Sequence, residues 1–422
     1  MSSHAKPVRT RKEWLDVASR RIMRTYPETD VVFVSGRGSW LTDSEGEEWL
    51  DLLSGIAVTA IGHAHPAVTA AVADQAGRLV HTSNLFLTTP ALELADRLAD
   101  LAGWDDARVF FAQCGATANE AAIKLARRHG KRQHGDKVRV VTLEGGFHGR
   151  TLATLEATGQ ASKHEPFLPL AGFVDTVAHD DPAALAAAVG PDTCAVLLEV
   201  VQGEGGVRPL SAEMLAAARA ACDEHGALLI VDEVQTGIGR TGSWFGFQQT
   251  GIVPDVLTLA KALGNGMPIG VCMAHGAAAV ALQPGEHATT FGGNPVTAAA
   301  ALAVLDVIES EGLLANVATR AAQFRLGFAD LAAATGSVLE VRGTGLLLGV
   351  VLAGPVAADV AMRCRDAYLV LNAVAPDVLR IAPPLNVTAA EVVTALGIIT
   401  AAITAAMAAA AAAAQTGELE HA

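Results

Sequence analysis

Five short apolar segments set the architecture: RVFFAQ (108–113), VRVVTLE (138–144), CAVLLEVV (194–201), ALLIVDEV (227–234) and DVLTLA (255–260). Alanine-rich stretches of helical length separate them. A strand apolar on both faces cannot leave one face in water, so these segments belong in a sheet covered on both sides. Helix-length spacers let successive strands run parallel. The chain is therefore expected to be an α/β protein on a mostly parallel central sheet. Its 422 residues exceed one small core, so a large domain over 66–300 is expected with a smaller α/β domain from 1–65 and 301–422. The second rests on helical patterns to about residue 333 and on the strands within SVLEVRGTGLLLGVVL (337–352) and VLRIAPPL (378–385).

Aromatics are only 5% of the chain, while alanine and glycine dominate, which favours closely packed helices over a β sandwich. The net charge of −14 has no basic cluster, which argues against nucleic acid or an anionic membrane surface as partner. Five scattered cysteines, with no CxxC spacing, read as reduced thiols. The charged N-terminus, MSSHAKPVRTRKEWLDVASRR, lacks the apolar run of a secretory signal. A soluble cytoplasmic enzyme acting on small molecules is expected. Residues 392–415 are uncharged over a bilayer-spanning length, but half are alanine, so a C-terminal helix is expected rather than a membrane span. The closing GELEHA is expected to be disordered.

Open parallel sheets bind ligands beyond the carboxyl ends of their strands. That edge is chemically rich here, because Glu199 follows one strand, Asp232 and Gln235 the next, and Lys261 a third. A lone lysine at a strand end is usually a surface group, and a lone Asp often caps a helix. Together they suit pyridoxal phosphate, which needs an amine to capture its aldehyde and an acid to keep its pyridine nitrogen protonated. Gly115 and Ala116, where RVFFAQ turns into a helix, can cradle the phosphate. GGFHGRT offers Phe147 as a stacking face and Arg150 as a carboxylate clamp, although the first could be core and the second a surface ion pair.

The motifs FFAQCGATANEAAIKLAR, GGFHGRT, EVVQGEGGV, LLIVDEVQTGIGRTG, LTLAKALGNGMPIG, TTFGGNP and VLRIAPPL occur in order from about residue 30 to 395. In this the chain resembles the class III, ω-type aminotransferases, most of all those acting on N2-acetylornithine in arginine biosynthesis. The resemblance implies the type I fold of pyridoxal-phosphate transferases and a homodimer with its active site at the interface. It implies that Lys261 holds the cofactor and carries the proton shift, Asp232 keeps the pyridinium proton, Gln235 meets the phenolic oxygen and Phe147 stacks on the ring. Gly115 and Ala116 would hold the phosphate, with Thr290 reaching it from the partner subunit and Glu199 supporting. Arg150 would bind the carboxylate of the ω-amino donor. Arg380 would bind that of 2-oxoglutarate, masked by Glu204 while the donor is present.

Ile56 stands where ornithine-specific relatives carry tyrosine, which favours an acylated donor. Three positions depart from the family pattern: Cys114 for Ser or Thr, Thr117 for Glu, and Val200 for Pro. Ornithine, 4-aminobutyrate, lysine, succinylornithine or a specialised diamine remain alternative donors. An aminomutase, or a non-catalytic binding protein descended from such an enzyme, are rival readings. GHAHP (62–66) reads as turn and capping residues rather than a metal pair, and GIGRTG (237–242) as an active-site loop, since it lacks the Lys-Ser/Thr ending of a phosphate loop.

Overall fold

The computed structural model describes residues 9–420. Its centre is a seven-stranded sheet of β1 (Arg108–Ala112), β2 (Arg139–Leu143), β3 (Val174–Val177), β4 (Thr193–Leu198), β5 (Leu228–Asp232), β6 (Val256–Leu259) and β7 (Gly270–Ala274). The spatial order is β1-β7-β6-β5-β4-β2-β3. Neighbours pair parallel except at β7, which runs antiparallel to both β6 and β1. Every residue of β4, β5, β6 and β7 is buried, as strands apolar on both faces require. All five expected strands are present. The pattern did not single out β3 or β7: VDTV is half polar, and β7 opens on glycine.

Helix α1 (Pro66–Arg78), helix α2 (Thr89–Ala102) and helix α3 (Gly115–Gln133) show why alanine is so abundant. The buried face of α3 carries Ala118, Ala121, Ala122 and Ala126, with Asn119, Ile123 and Leu125 as its larger groups. Small side chains bring the helix axis close to the sheet. Helix α4 (Pro295–Ser310) packs on α1 and α2, and α5 (Leu313–Thr335) follows it.

A second sheet, ordered β8-β9-β11-β10, comprises β8 (Val338–Thr344), β9 (Leu347–Leu352), β10 (Asn372–Ala375) and β11 (Val378–Ile381). The N-terminal strands Phe33–Arg37, Trp40–Asp43 and Glu48–Asp51 form a third sheet, closed by Leu369–Val370 pairing parallel to the last of them. Helix α6 (Ala357–Asp366) and helix α7 (Ala389–Glu420) cover this C-terminal part.

The α7 span Ala389–Ala413 is long and apolar enough to cross a membrane. Val392, Ala395, Ile399, Ala402, Ile403 and Ala406 nevertheless form a buried stripe on one face, the spacing of a helix packed on a core. The helix continues to Glu420 where GELEHA suggested disorder, because an alanine run propagates a helix well; His421 and Ala422 lie outside the described residues. All five cysteines are free, and burial pushes the thiols of Cys194, Cys222, Cys272 and Cys364 up to about 12.

Candidate active site

Beyond the carboxyl ends of β4, β5 and β6 lies a cavity of about 380 Å³ whose lining includes Gly115, Ala116, Phe147, Arg150, Glu199, Glu204, Asp232, Gln235 and Lys261. The strand-end rule located Glu199, Asp232, Gln235 and Lys261; the turn into α3, the GGFHGRT motif and the family resemblance supplied the other five, and all nine now surround one space. Lys261 follows β6 with φ of +40°, a left-handed conformation that a non-glycine residue adopts at a cost of about 1–3 kcal/mol. Burial pushes its ammonium below the ordinary lysine range; nearby Glu204 opposes this and Arg380 reinforces it. A lysine with a depressed pKa is a better nucleophile.

The Asp232 carboxylate receives four donors. Asn119 Nδ2 and His148 Nδ1 each lie 2.8 Å from Oδ2, with Val234 N at 3.0 Å and the Thr258 hydroxyl at 3.3 Å from Oδ1. The single Thr258 hydroxyl hydrogen is shared with Asn119 Oδ1, which lies nearer at 2.7 Å. These partners fix the acid's orientation. Asn119, His148 and Thr258 were missed in the sequence, yet each carried a signal: Asn119 shares the buried alanine face of α3, Thr258 interrupts an apolar strand, and His148 adjoins Phe147. Glu233, next to Asp232, turns away to accept from Gly246 N, Phe247 N and the Thr236 hydroxyl.

Glu199 is buried and accepts from Phe147 N at 3.0 Å and Gly203 N at 3.2 Å. Burial raises its pKa from 4.5 to about 7; Asp232 adds to the rise, while His148 and the two N–H donors oppose it. Because the folded value lies above the unfolded one, the associated stability is fully present below about pH 4.5 and is lost as pH rises through 7. Cofactor-free protein should therefore lose stability between pH 5 and 8, and Glu199→Gln should flatten that slope; denaturant titrations at both pH values check this.

The two arginines have different surroundings. Arg150 is exposed at the cavity, its guanidinium carbon 5.6 Å from the centre of the Phe147 ring, with no acid paired to it among the described residues. Arg380, on β11, is 1% exposed and pairs with Glu204. It also reaches Gln235 Oε1 at 3.2 Å and Asn372 Oδ1 at 3.3 Å, while its Nη2 has no partner. Burial pushes the Glu204 carboxyl up, but Arg380 outweighs this and holds it below the ordinary range. Gln235 bridges the pair through Nε2 to Glu204 at 3.4 Å. Gly203 makes room for it, since an added Cβ would come within 2.1 Å of Gln235 Oε1.

Thr290 stands apart. It is exposed, lines a separate hollow with Gln113, Thr117 and Glu120, and does not border the Lys261 cavity within one chain. Thr117 accepts from the backbone N–H groups of Gln113 and Cys114, both at 3.1 Å, and donates to Cys114 O at 3.0 Å. It thus caps α3 without the charge a glutamate would bring. Ile56 belongs to a turn in which Ser54, Gly55, Ile56 and Ala57 all have φ between 52° and 68°. Left-handed backbone of this kind costs L-residues about 1–2 kcal/mol each. Asp51 Oδ1, accepting from Leu53 N and Ser54 N, and the Ser54 hydroxyl, donating to Ala382 O, hold the turn. Val58 at its end lines the cavity, whereas Ile56 does not border it. The GHAHP histidines serve local structure: His63 Nε2 lies 2.8 Å from Asp51 Oδ2, and His65 caps α1.

Residues 22–403 match the aminotransferase class-III family. The chain belongs to the class III aminotransferases. It is 51% identical over 366 residues to the acetylornithine aminotransferase of Streptomyces coelicolor, covering 86% of this chain and 89% of that one. The N-acetylornithine aminotransferase structure from Stenotrophomonas maltophilia superposes with TM-score 0.80 at 38% identity, covering 94% of this chain and all of the other. An ornithine aminotransferase structure from Toxoplasma gondii, with pyridoxal phosphate partly occupying its active site, gives TM-score 0.88 at 30% identity over 94% and 95%.

Class III aminotransferases depend on pyridoxal phosphate, and this cavity's donor set fits that group. The backbone N–H groups of Gly115 and Ala116 open α3 with no partner among the described residues, an arrangement suited to a phosphate dianion. Gly115 has no spare space, since an added Cβ would meet Val234 at 2.8 Å. An amine, an oriented carboxylate and a flat ring then surround the remaining volume.

Proposed function

We propose that this aminotransferase moves the δ-amino group of N2-acetylornithine to 2-oxoglutarate, giving N-acetylglutamate 5-semialdehyde and glutamate. The observation that carries this reading is the Arg380–Glu204 pair beside Lys261. A pocket that accepts a ω-amine in one half-reaction and an α-keto acid in the other must hide one carboxylate site while using the other. Arg150, with no acid of its own, suits the donor's carboxylate; Arg380, released by Glu204, suits that of 2-oxoglutarate. Relatives 46–51% identical that are named acetylornithine aminotransferases support the choice of donor.

Bound pyridoxal phosphate supplies an electrophilic carbon and an electron sink. Lys261 supplies the amine that fastens it and then the base that moves the proton from the substrate carbon. Asp232, held by Asn119, His148 and Thr258, keeps the pyridine nitrogen protonated. Phe147 would pack against the ring, Gln235 would meet its phenolic oxygen, and Gly115 and Ala116 would hold the phosphate.

Thr290 completes that phosphate site from the partner subunit of a homodimer. Its distance from the Lys261 cavity within one chain, together with the exposed Leu85, Phe86, Leu87 and Phe291 nearby, supports this arrangement. The same reading divides the chain into a cofactor-binding domain of residues 66–300 and a smaller one formed by 1–65 and 301–422.

The test is spectroscopic. With no keto acid present, N2-acetylornithine should bleach the visible band of the holoenzyme faster than ornithine or 4-aminobutyrate, and 2-oxoglutarate should restore it. Bleaching by another amine alone would overturn the donor assignment.

A further inference from the structure

The loop GIGRTG (237–242) holds a buried charge that nothing above uses. Arg240 is 0% exposed, and no acid pairs with it among the described residues. Burial, with neighbouring Arg380 adding to the effect, pushes its guanidinium down to about 9, and Asp51 only partly opposes this. Asp51 is already committed to Leu53 N, Ser54 N and His63. A guanidinium buried without an acid is costly, so what it contacts matters.

Arg240 Nη1 donates to two carbonyls, Leu346 O at 3.1 Å and Pro383 O, while Nε and Nη2 have no partner. Leu346 immediately precedes β9, and Pro383 lies just beyond β11. Those strands pair antiparallel, with Gly349 opposite Arg380. One nitrogen from the loop after β5 therefore ties together the edge that carries Arg380. The backbone repeats the tie: Leu346 N donates to Arg240 O at 3.0 Å, and Gly345, with φ of +56°, passes so close that an added Cβ would meet Arg240 O at 2.5 Å.

We infer that Arg240 is a positioning residue for the keto-acid half-reaction, fixing the β9–β11 edge so that Arg380 is presented to Glu204 and to the incoming carboxylate. The amino donor, bound at Arg150, does not depend on it. This inference rests on the proposed function, in which Arg380 receives 2-oxoglutarate.

The test separates the half-reactions in the holoenzyme. In Arg240→Gln the KM for 2-oxoglutarate should rise at least about tenfold, while the rate at which N2-acetylornithine bleaches the visible band stays within about threefold of wild type. Arg240→Lys, which keeps the charge and some donor capacity, should recover part of the loss. Gly345→Ala strains the same contact with Arg240 intact and should give the same split, so it carries the test if Arg240→Gln does not fold. An unchanged KM, or equal loss in both half-reactions, overturns the inference. A wild type whose band 2-oxoglutarate does not restore overturns the proposed function, and this inference with it; that arm is read first and involves no variant.

Discussion

Lys261→Ala should abolish the lysine-bound cofactor band and lower turnover by at least about a thousandfold, while the protein stays folded. The two halves of this result have separate causes. Lys261 supplies the only lysine amine lining the cavity among the described residues, and its depressed pKa follows from burial. Its contribution to stability is small, because Lys261 is only half-buried and alanine at φ of +40° inherits the same backbone strain. Absorbance of the purified variant with added pyridoxal phosphate, its turnover and a thermal melt read all three quantities. Turnover within tenfold of wild type would remove Lys261 from the chemistry.

The second large effect is expected at Asp232. Asp232→Asn keeps the size of the side chain but cannot hold a pyridinium proton by charge, so turnover should fall by about a hundredfold or more. Asp232→Ala should match that loss and also unfold more easily, by about 2–4 kcal/mol. It strands the buried donors that Asn119 and His148 direct at the acid. Denaturant titration of both variants without cofactor separates the structural loss from the catalytic one. Equal activity in wild type and Asp232→Asn would mean that the acid only supports its neighbours.

Much of this site was legible in the sequence because a parallel sheet converts position into proximity. Glu199, Asp232 and Lys261 are far apart in the chain but end three strands, β4, β5 and β6, that lie side by side. Arg380 was not legible in that way. It comes from the second sheet, and only the motif resemblance related it to Glu204. Asn119, His148 and Thr258 were missed because they act through Asp232, and a contact between two buried polar groups leaves no periodic trace. The strained turn at Ser54–Ala57 was equally hidden, since Ser, Ile and Ala are ordinary residues whose left-handed backbone is imposed by Asp51 and Ala382. Ile56, the position on which the choice between donors first rested, does not border the cavity of the single chain, so the donor assignment rests on the arginines and on the relatives.

The most direct test of the central claim follows the nitrogen. Wild-type holoenzyme is supplied with N2-acetylornithine carrying ¹⁵N only at the δ position, together with unlabelled 2-oxoglutarate, and the products are read by mass spectrometry. Transamination of the ω-amine places the label in glutamate and leaves an unlabelled semialdehyde. Product that keeps the label on the original carbon skeleton, or continued turnover beyond one equivalent per cofactor without keto acid, would contradict the account and point to an aminomutase.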